Sequence, residues 1–592
     1  MTTQWETDSR TAGMARWPVL LLFAGSGCAA LIYEIVWFQL LQLAIGSTSV
    51  STGILLATYM GGLCLGSLAL PRLIPSAKNP LLVYAALEAG TALFGLLALI
   101  EIPAIQRVYF ASAEHGLPSM LLRGAIAAVC LLPPTILMGA SLPAIVRWIE
   151  ATPRGISWWG LLYGGNTAGA VFGCLLAGFY LLRIHDTYVA TYVAAAINLT
   201  VALFSFAMSA WTGVVDVWAE SRVPVSWSIY VYLTIALSGA CALGAEVIWT
   251  RLLGMMLGST VYVFSIILAV FLIGLALGSG AASWWLRARS GPESARQALG
   301  WCQILLAGGI AWTAYMVAVW MPSMSNAVLL NGTPWQTFRV DLARCALAIL
   351  PPTLLWGASF PLACAAAAGY RADSGRLVAA VYAANTLGAI VGALGVSLIL
   401  VPWIGTQQSQ RVLLIVSAAS ALFMLAPRAR HSRGLAAGLV VALIAAGVLV
   451  RTVTPFPGKV IAYGRRASIA DGTVIYTKEG RNSSVAITMW SDGAVEVDVN
   501  GHVEATTEPY DMKLQRMVGH LPALLHPHPR SVLGIGFGAG VSAGTFTRYP
   551  GIAHITVCEI EPAIPPTSTR YFSEQDYDVL NNPKTRIVYD DA

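Results

Sequence analysis

The sequence of 592 residues is poor in charge over most of its length. Asp, Glu, Lys and Arg make up 11% of it, whereas 57% is hydrophobic, and the mean hydropathy is +0.68. Soluble domains contain about 25% charged residues, so this composition excludes a soluble protein and places most of the chain in lipid. Only the part after about Pro455 has an ordinary charge density and lacks apolar runs near the ~20 residues that cross a bilayer.

Metal-binding and disulfide patterns are also missing. The nine cysteines contain no C-x-x-C pair and no Cys/His spacing, so neither a disulfide framework nor a zinc site is predicted. The histidines His520, His526 and His528 lack an acid or cysteine at ligand spacing, and we interpret them as part of a proline-stiffened loop. The net charge of +6 comes mostly from short loops between apolar runs, which indicates membrane topology rather than a nucleic-acid partner.

Twelve apolar runs predict membrane spans. The first follows a polar N-terminus without an A-x-A-like cleavage site, so we interpret it as a retained span rather than a signal peptide. The runs cover residues 17–43, 50–75, 80–103, 119–146, 160–183, 187–211, 228–255, 261–286, 298–321, 342–368, 376–402 and 408–426. A further charge-free run at 434–450 has 17 residues, just enough to cross, and leaves a thirteenth span open.

The membrane region is predicted to be a tandem duplication. SGCAALIYEIVWFQLLQLAIGST at 26–48 matches SGACALGAEVIWTRLLGMMLGST at 238–260 with a constant offset of 212. Two further matches follow in the same order, LPPTILMGASLP with LPPTLLWGASFP and Tyr163, Asn166, Thr167, Gly169 and Gly173 with Tyr382, Asn385, Thr386, Gly388 and Gly392. The sequence therefore predicts six-span repeats at 1–216 and 217–426, then a basic loop with the open thirteenth span at 427–454.

Glu34 and Glu246 are carboxylates at equivalent places within the first span of each repeat. An acid inside a span is costly unless it faces a cavity or a partner, which favours a cation or proton site near the axis relating the halves. The alternative is structural: each Glu caps or hydrogen-bonds a neighbouring helix, through Trp37 and Trp249. The sequence leaves both interpretations open.

After residue 455 the pattern changes to that of a soluble domain. VIYTK, SVAITMW and AVEVDV alternate with period two between turn residues, which predicts a small antiparallel β meander at 455–503. The next segment, YDMKLQRMVGHLPALLHP, has apolar residues at helical spacing: Met512, Met517, Leu521, Leu524 and Leu525. It should lead as one amphipathic helix into an α/β unit at 504–592.

The α/β unit has the pattern of a nucleoside site. The strand SVLGIG runs into Gly534, Gly536, Gly538 and Gly540 and then into a helix, so backbone and ligand can approach closely. Glu559 ends the second strand 23 residues after Gly536, where a carboxylate would accept the ribose hydroxyls. Asp590 and Asp591 follow the third strand at the same edge, where α/β sheets bind ligands.

These features resemble two known families. The parallel six-helix halves resemble the major facilitator superfamily at the level of architecture, although its basic loop motif is not found after the second span. The meander, helix, glycine loop, VCEIEP and DDA resemble the spermidine synthase-like polyamine aminopropyltransferases, and the whole chain resembles bacterial proteins that fuse the two. The second resemblance implies a Rossmann-like, class I methyltransferase-like sheet that binds S-adenosylmethionine or its decarboxylated form, with Glu559 on the ribose and Asp591 on the adenine amino group.

Three departures concern the reaction itself. Ala539 stands where the family usually has an Asp, and the family's Tyr-His-Glu signature appears here only as Tyr510-Asp511 and Leu514-Gln515-Arg516. The sequence stops after three strands, before the family's Asp-rich segment, so no catalytic residue is predicted. We expect the natural protein to be longer, by about 100 residues if it completes an ordinary domain. The alternatives are a degenerate tail or one that a partner completes.

The resulting prediction is a multi-pass protein of the cell (inner) membrane whose partners are the bilayer and a small amine or polyamine, with a homo-oligomer left open. Fifteen loop Arg and Lys residues lie on the side of the N-terminus and six on the other, which predicts a cytoplasmic N-terminus. The side of the C-terminal domain depends on the thirteenth span. The first functional hypothesis is aminopropyl transfer from decarboxylated S-adenosylmethionine, without a metal; the alternative is a cation or polyamine transporter whose tail only binds or senses a nucleoside.

Overall fold

A computed structural model describes residues 2–46, 49–74, 79–112, 117–148, 153–211, 228–288, 291–324, 332–368 and 374–591. Its first part is a bundle of long helices. They are α1 (Thr2–Ile45), α2 (Ser49–Leu73), α3 (Pro80–Ser112), α4 (Leu117–Trp148), α5 (Pro153–Leu176), α6 (Thr187–Trp211), α7 (Ser228–Leu257), α8 (Val261–Ala288), α9 (Pro292–Tyr315), α10 (Pro334–Ala367), α11 (Ser374–Leu394), α12 (Val401–Ala429) and α13 (Arg433–Thr452).

The predicted spans coincide with these helices. Twelve helical segments of the described chain are long and apolar enough to cross a membrane. The longest, Arg376–Ala429, is interrupted at Gly405 (φ 76°, ψ 170°), so it holds two of the predicted spans. The twelfth segment is α13, the run that the sequence left open.

The two halves of the bundle use the same close helix contacts. A Cβ added to Gly169 would lie 1.8 Å from the carbonyl oxygen of Ala24, and one added to Gly388 would lie 1.8 Å from that of Ala236. Only glycine allows backbones to approach this closely, so α5 packs on α1 as α11 packs on α7. The halves meet where α2 packs on α11 and α5 on α8. The predicted boundary between repeats at 216 and 217, and Ser47 and Thr48 of the first match, lie outside the described residues.

Helix α13 runs back along α12 and so decides which end of the bundle carries the C-terminal domain. The carbonyl oxygen of Val453, just after α13, accepts hydrogen bonds from Gln407 (2.9 Å) and Arg411 (2.8 Å), near the start of the regular part of α12. Helix α13 therefore covers the length of α12 instead of turning back within it. The C-terminal domain lies at the end of the bundle where α1 ends, opposite the start of α1.

The meander follows a short helix, α14 (Gly458–Tyr463), and has one strand more than predicted. The strands β1 (Thr473–Glu479), β2 (Ser484–Met489), β3 (Val495–Val499) and β4 (His502–Thr506) pair as antiparallel neighbours in this order. Asn500 (φ 51°) and Gly501 (φ 84°) form the tight turn that joins β3 to β4. The predicted subdomain end at 503 is therefore too early, because this Asn-Gly pair starts another strand instead of closing the sheet.

The α/β unit contains three parallel strands in the order β5 (Ser531–Ile535), β6 (His554–Cys558) and β7 (Thr585–Val588). Helices α15 (Pro509–Leu525), α16 (Val541–Thr547) and α17 (Ile564–Phe572) complete it. Strand β5 is an edge strand, and its side chains Leu533 and Ile535 are 67% and 76% exposed.

Helix α15 packs through a different face from the one predicted. Of the predicted apolar residues only Met512 is buried, whereas Met517, Leu521, Leu524 and Leu525 are exposed. The helix instead contacts α16 through small residues: a Cβ on Gly519 would lie 2.7 Å from the Cβ of Thr545. Periodicity located the helix but not its packed face, because close approach depends on Gly519 rather than on the large side chains.

Polar contacts tie the C-terminal domain to the bundle. Arg465 pairs with Asp341 of α10 (2.6 Å), and the Arg251 guanidinium of α7 donates to the Ser484 hydroxyl of β2 (2.9 Å). Glu479 of β1 accepts from the Thr406 hydroxyl (2.8 Å) just after the interruption in α12. The apolar core of the second half continues through α14 into Ala486 of β2. The domain is thus docked on the helix ends through several contacts.

Two buried acids on β3 share one face of the meander. Glu496 is 1% and Asp498 0% exposed. Trp490 Nε1 donates to Glu496 Oε2 (2.5 Å) and the Thr488 hydroxyl to Asp498 Oδ2 (3.3 Å), but Glu496 Oε1 and Asp498 Oδ1 have no donor from another side chain. One proton between the two carboxyl groups would satisfy both oxygens. Burial, together with the neighbouring Glu496, raises the pKa of Asp498 well above its ordinary value.

This pair predicts a loss of stability on the alkaline side. The folded chain holds the Asp498 proton more tightly than the unfolded chain, so stability is full below the unfolded pKa of about 4 and declines as pH rises toward the folded pKa. The limiting slope is about 1.4 kcal/mol per pH unit. We expect Asp498→Asn, which stays neutral, to flatten the fall in unfolding temperature between about pH 6 and about pH 8. The exposed Glu508→Gln is the control; an unchanged slope in Asp498→Asn would contradict the shared proton.

Candidate functional site

The glycine loop begins at Gly536, at the end of β5. Gly536 (φ 81°), Gly538 (φ 54°) and Gly540 (φ 78°) have left-handed backbone, which disfavours other residues. A Cβ on Gly536 or Gly538 would meet no atom within 4 Å, so one side of the loop is open to a ligand. Gly534 differs from the prediction: it lies inside β5, where it pairs with Val557 of β6, and does not belong to the loop.

Glu559 follows β6 and holds the glycine loop in place. Its side chain is 3% exposed. Oε2 accepts from the backbone N–H of Phe537 (2.7 Å) and Oε1 from that of Glu561 (2.9 Å). Each carboxylate oxygen has two lone pairs, so both can still accept from a hydroxyl group. The structure thus brings the predicted ribose acceptor together with the predicted loop.

Glu561, which sequence reasoning passed over, joins the meander to this site. It is 1% exposed and accepts from the backbone N–H groups of Asn482 (2.7 Å), Ser483 (3.0 Å) and Ala563 (2.9 Å). Glu561 is the second acid of VCEIEP. A second carboxylate directly after a parallel strand was the sequence feature that could have identified it. Glu561 fixes the β1–β2 turn of the meander over the loop side of the α/β unit.

Asp576 lies against the glycine loop at Gly540, and it was also not predicted. It is fully buried and accepts from the Thr569 hydroxyl (2.8 Å) and the backbone N–H of Asp578 (2.7 Å). Burial raises its pKa to about 6. A Cβ on Gly540 would lie 3.0 Å from Asp576 Oδ2, so this side of the loop has no room for a larger residue.

Two more titratable groups lie near Glu559. Glu504 of β4 and Tyr589 after β7 each interact electrostatically with Glu559. The pKa of each is raised, first by burial and then by the Glu559 charge. Strand β4 was not predicted, which is why Glu504 was not a candidate. Tyr589 follows the predicted third strand but was passed over in favour of the two acids after it.

Asp590 and Asp591 follow β7, as predicted, but they lie against the helical bundle. Asp590 Oδ1 is 3.0 Å from the guanidinium Nη2 of Arg123 in α4. A Cβ on Gly46, which follows α1, would lie 3.0 Å from Asp591 Oδ2. The edge of the sheet that is predicted to hold the adenine is therefore also part of the contact with the bundle.

Ala539 does not face the open side of the loop. It is 2% exposed and belongs to an apolar cluster with Ile487, Met512 and Phe572. An Asp in this conformation would place a carboxylate among apolar side chains, so the missing charge fits the packing between the meander and the α/β unit.

Glu34 and Glu246 line one cavity between the two halves of the bundle. The cavity has a volume of about 950 Å³ and is lined by both carboxylates. Tyr59 also lines the cavity, and its hydroxyl donates to the carbonyl oxygen of Ala30 (3.5 Å). Neither tryptophan bonds a Glu within the part of the chain that the structure describes: Trp249 Nε1 donates to Gln410 (3.3 Å), and Trp37 Nε1 is buried there without a hydrogen-bond partner.

Glu88 of α3 is a further buried acid of the bundle, and sequence reasoning missed it because it has no acidic counterpart in the predicted second repeat. It is 1% exposed; Oε1 accepts from the hydroxyls of Ser26 (2.7 Å) and Ser141 (3.1 Å), and Oε2 from Asn198 Nδ2. In the second half Gln303 occupies the corresponding network, donating to Ser359 (3.1 Å) and accepting from Ser420 (3.4 Å). Glu88 is thus a structural hydrogen-bond centre.

We therefore expect Glu88→Gln to be tolerated, at a cost below about 1 kcal/mol. Asn198 Oδ1 is buried and has no partner among the described residues, so a rotated Asn198 amide can accept from the new Gln amide. Glu88→Leu leaves the partners of Glu88 unpaired. Each unpaired group lowers the free energy of unfolding by about 1–3 kcal/mol, so the unfolding temperature should fall clearly. Equal unfolding temperatures of the two variants in detergent would contradict this assignment.

Comparison with known proteins identifies the C-terminal part. Residues 512–592 match the family described as "Spermine/spermidine synthase domain". Polyamine aminopropyltransferase 2 of Streptomyces coelicolor is 28% identical over 371 residues, 60% of this chain and 62% of that protein. The polyamine aminopropyltransferase of Mycobacterium tuberculosis is 30% identical over 228 residues, 37% of this chain and 42% of that protein. The chain thus spans less than two thirds of the length of these relatives.

Both alignments are longer than the segment 455–592, so they include part of the helical bundle. Among solved structures, spermidine synthase from Thermotoga maritima is 24% identical, with a TM-score of 0.19 over 20% of this chain and 41% of that one. Residues 512–592 of this chain are thus similar to the spermine/spermidine synthase domain, and a bundle of apolar helices precedes them.

Proposed function

We propose that the protein is a membrane-anchored aminopropyltransferase of polyamine biosynthesis. The observation that carries the proposal is the glycine loop held by Glu559 within the segment that matches the spermine/spermidine synthase domain. The cosubstrate is decarboxylated S-adenosylmethionine. Glu559 would bind its ribose, Gly536 and Gly538 would lie against its methionine-derived part, and Asp590 and Asp591 would flank its adenine.

The reaction joins an amine nitrogen to the carbon next to the sulfonium. The carbon–nitrogen bond forms as the carbon–sulfur bond breaks, methylthioadenosine leaves with the bonding electrons, and the amine loses one proton to a base. A buried carboxylate such as Glu559 orients the nucleoside, because both its oxygens are fixed by backbone N–H groups. We assign none of the described residues as the base.

The test is product release by the protein expressed from its own locus and purified in detergent. With putrescine and decarboxylated S-adenosylmethionine we expect equal amounts of methylthioadenosine and aminopropylated amine. Omission of either substrate is the control. Binding of methylthioadenosine without any turnover, with putrescine or spermidine, would overturn the proposal.

That outcome would favour a second candidate, a cation or polyamine transporter whose C-terminal domain senses a nucleoside. The cavity that contains Glu34 and Glu246 favours it. The paired glycine contacts of the two halves, together with the α2–α11 and α5–α8 contacts, support a duplicated, major-facilitator-like bundle. Solute flux into proteoliposomes that disappears in Glu34→Gln and Glu246→Gln would establish this candidate.

The two candidate functions differ in the side of the membrane on which the C-terminal domain is expected. We propose a multi-pass protein of the inner membrane with a cytoplasmic N-terminus, because basic residues are concentrated on that side. Helix α13 then takes the C-terminal domain to the other side, whereas decarboxylated S-adenosylmethionine is a metabolite of the cytoplasm. A reporter fused after Pro455 decides between them: a cytoplasmic signal reverses the orientation and supports the transferase, and an extracytoplasmic signal favours the transporter.

A further inference from the structure

The cavity between the two halves extends from the intramembrane acids to the C-terminal domain. Its walls include Glu34 of α1 and Glu246 of α7, and at its other end Arg481, Asn482 and Asn500 of the meander. It therefore reaches from within the bundle to the turns β1–β2 and β3–β4. A cavity confined to the bundle would not be lined by residues of the meander.

The acidic end of the cavity is suited to a cationic ligand with an apolar stem. Two carboxylates in one cavity repel each other unless a cation or protons neutralise them. The cavity walls around them are mostly apolar and include the rings of Tyr59, Phe271 and Trp356. Aromatic faces attract ammonium groups, and apolar walls accommodate methylene chains.

Trp356 contributes its ring to the cavity wall. Its side chain is 5% exposed, and its indole N–H is buried without a hydrogen-bond partner among the described residues. Because that N–H group is inaccessible, a ligand in the cavity meets the aromatic ring, which attracts an ammonium group.

The other end of the cavity is connected to the nucleoside site by direct hydrogen bonds. Asn482 lines the cavity, and its side-chain amide donates to the carbonyl oxygen of Ile560 (2.5 Å), between the two acids of VCEIEP. Its backbone N–H donates to Glu561, whose own N–H donates to Glu559 (2.9 Å). Asn482 thus links the cavity wall directly to the segment that holds the glycine loop.

We propose that this cavity binds an aliphatic di- or polyamine, with its ammonium groups at Glu34 and Glu246, and supplies it as acceptor to the transferase site. The supply step rests on the proposed function, whereas the binding step does not. The cavity thereby gives the bundle a role in the reaction: the acceptor amine enters from the membrane region rather than from the solvent around the C-terminal domain.

Binding is tested with radiolabelled putrescine and the full-length protein in detergent. We expect Glu34→Gln and Glu246→Gln each to weaken binding at least about tenfold, about 1.4 kcal/mol, since each removes one charge partner. Glu88→Gln, an intramembrane acid outside the cavity walls, is the matched control and should bind as the wild type does. Butylamine, with the same stem and one ammonium group, should compete at least about tenfold less well than unlabelled putrescine. Equal binding by the wild type and both Gln variants would overturn the proposal.

Turnover distinguishes this proposal from the proposed function. In the Gln variants we expect kcat/KM for the amine to fall while KM for decarboxylated S-adenosylmethionine is unchanged. Full turnover in both variants would overturn supply through the cavity and leave the transferase intact. Glu-dependent putrescine binding without turnover in any variant would retain the amine site and reject the transferase. If a Gln variant does not fold, Glu34→Asp and Glu246→Asp are used instead. These variants keep the charge, so their loss of putrescine affinity should be smaller than the loss expected for the Gln variants.

Discussion

Glu559→Ala should abolish nucleoside binding by the C-terminal domain. Glu559 is the acceptor for the Phe537 and Glu561 N–H groups and the predicted acceptor for the ribose, so the variant loses the loop conformation and the ligand contact together. Each buried N–H group left unpaired costs about 1–3 kcal/mol, so we expect an affinity loss of at least about 100-fold. Titration calorimetry with methylthioadenosine, a stable probe for the nucleoside, measures it.

Two further variants separate the loss of the carboxylate from a general loss of folding. Glu559→Gln keeps the shape but turns an amide N–H group toward one of the two backbone donors, so it should also bind weakly. Glu574→Gln removes an exposed acid of the same unit and should bind as the wild type does. If Glu559→Ala bound methylthioadenosine with unchanged affinity, the nucleoside site would have to lie elsewhere.

The sequence predicted the helical bundle well because a span has only one requirement, a long apolar run. Every predicted run coincides with a helix, including the two runs that Gly405 separates. The course of α13 was not predictable, because 17 apolar residues fit a crossing helix and an interfacial one equally. The contacts of Val453 with Gln407 and Arg411 show that α13 runs back along α12, and these are tertiary contacts without a sequence pattern.

In the C-terminal domain the strands and loops were easier to predict from the sequence than the contacts between distant parts of the chain. Glu559 and the turn glycines came from spacing along the chain, because a parallel strand and the loop after it are local features. The Asp590–Arg123 pair joins residues 467 positions apart, so no local pattern indicates it. Glu561 was overlooked for a related reason: its partners Asn482 and Ser483 belong to the meander, and only the docking of two subdomains brings them together.

Arg465→Ala should loosen the C-terminal domain from the bundle. Arg465 Nη2 is 2.6 Å from Asp341 Oδ2, and the Asp341 side chain is 3% exposed. Its Nε also donates to the carbonyl oxygen of Leu257 at the end of α7 (3.1 Å). Removing one partner of a buried ion pair leaves a buried charge without its partner and costs about 3–5 kcal/mol. Arg344 also attracts Asp341, so we expect the lower end of this range, measured as a lower unfolding temperature and faster proteolytic release of the domain.

The effect of the unpaired Asp341 charge can be tested by removing that charge. Asp341→Asn in the Arg465→Ala background should restore much of the stability, because no buried carboxylate then remains unpaired. Arg466→Ala, at the exposed neighbouring position, should leave both readouts unchanged. Equal effects of Arg465→Ala and Arg466→Ala would mean that the pair does not hold the domain. The functional consequence follows from the cavity that both parts line: a loosened domain should still bind methylthioadenosine, whereas amine-dependent turnover should fall, because acceptor and nucleoside are then no longer held in one site.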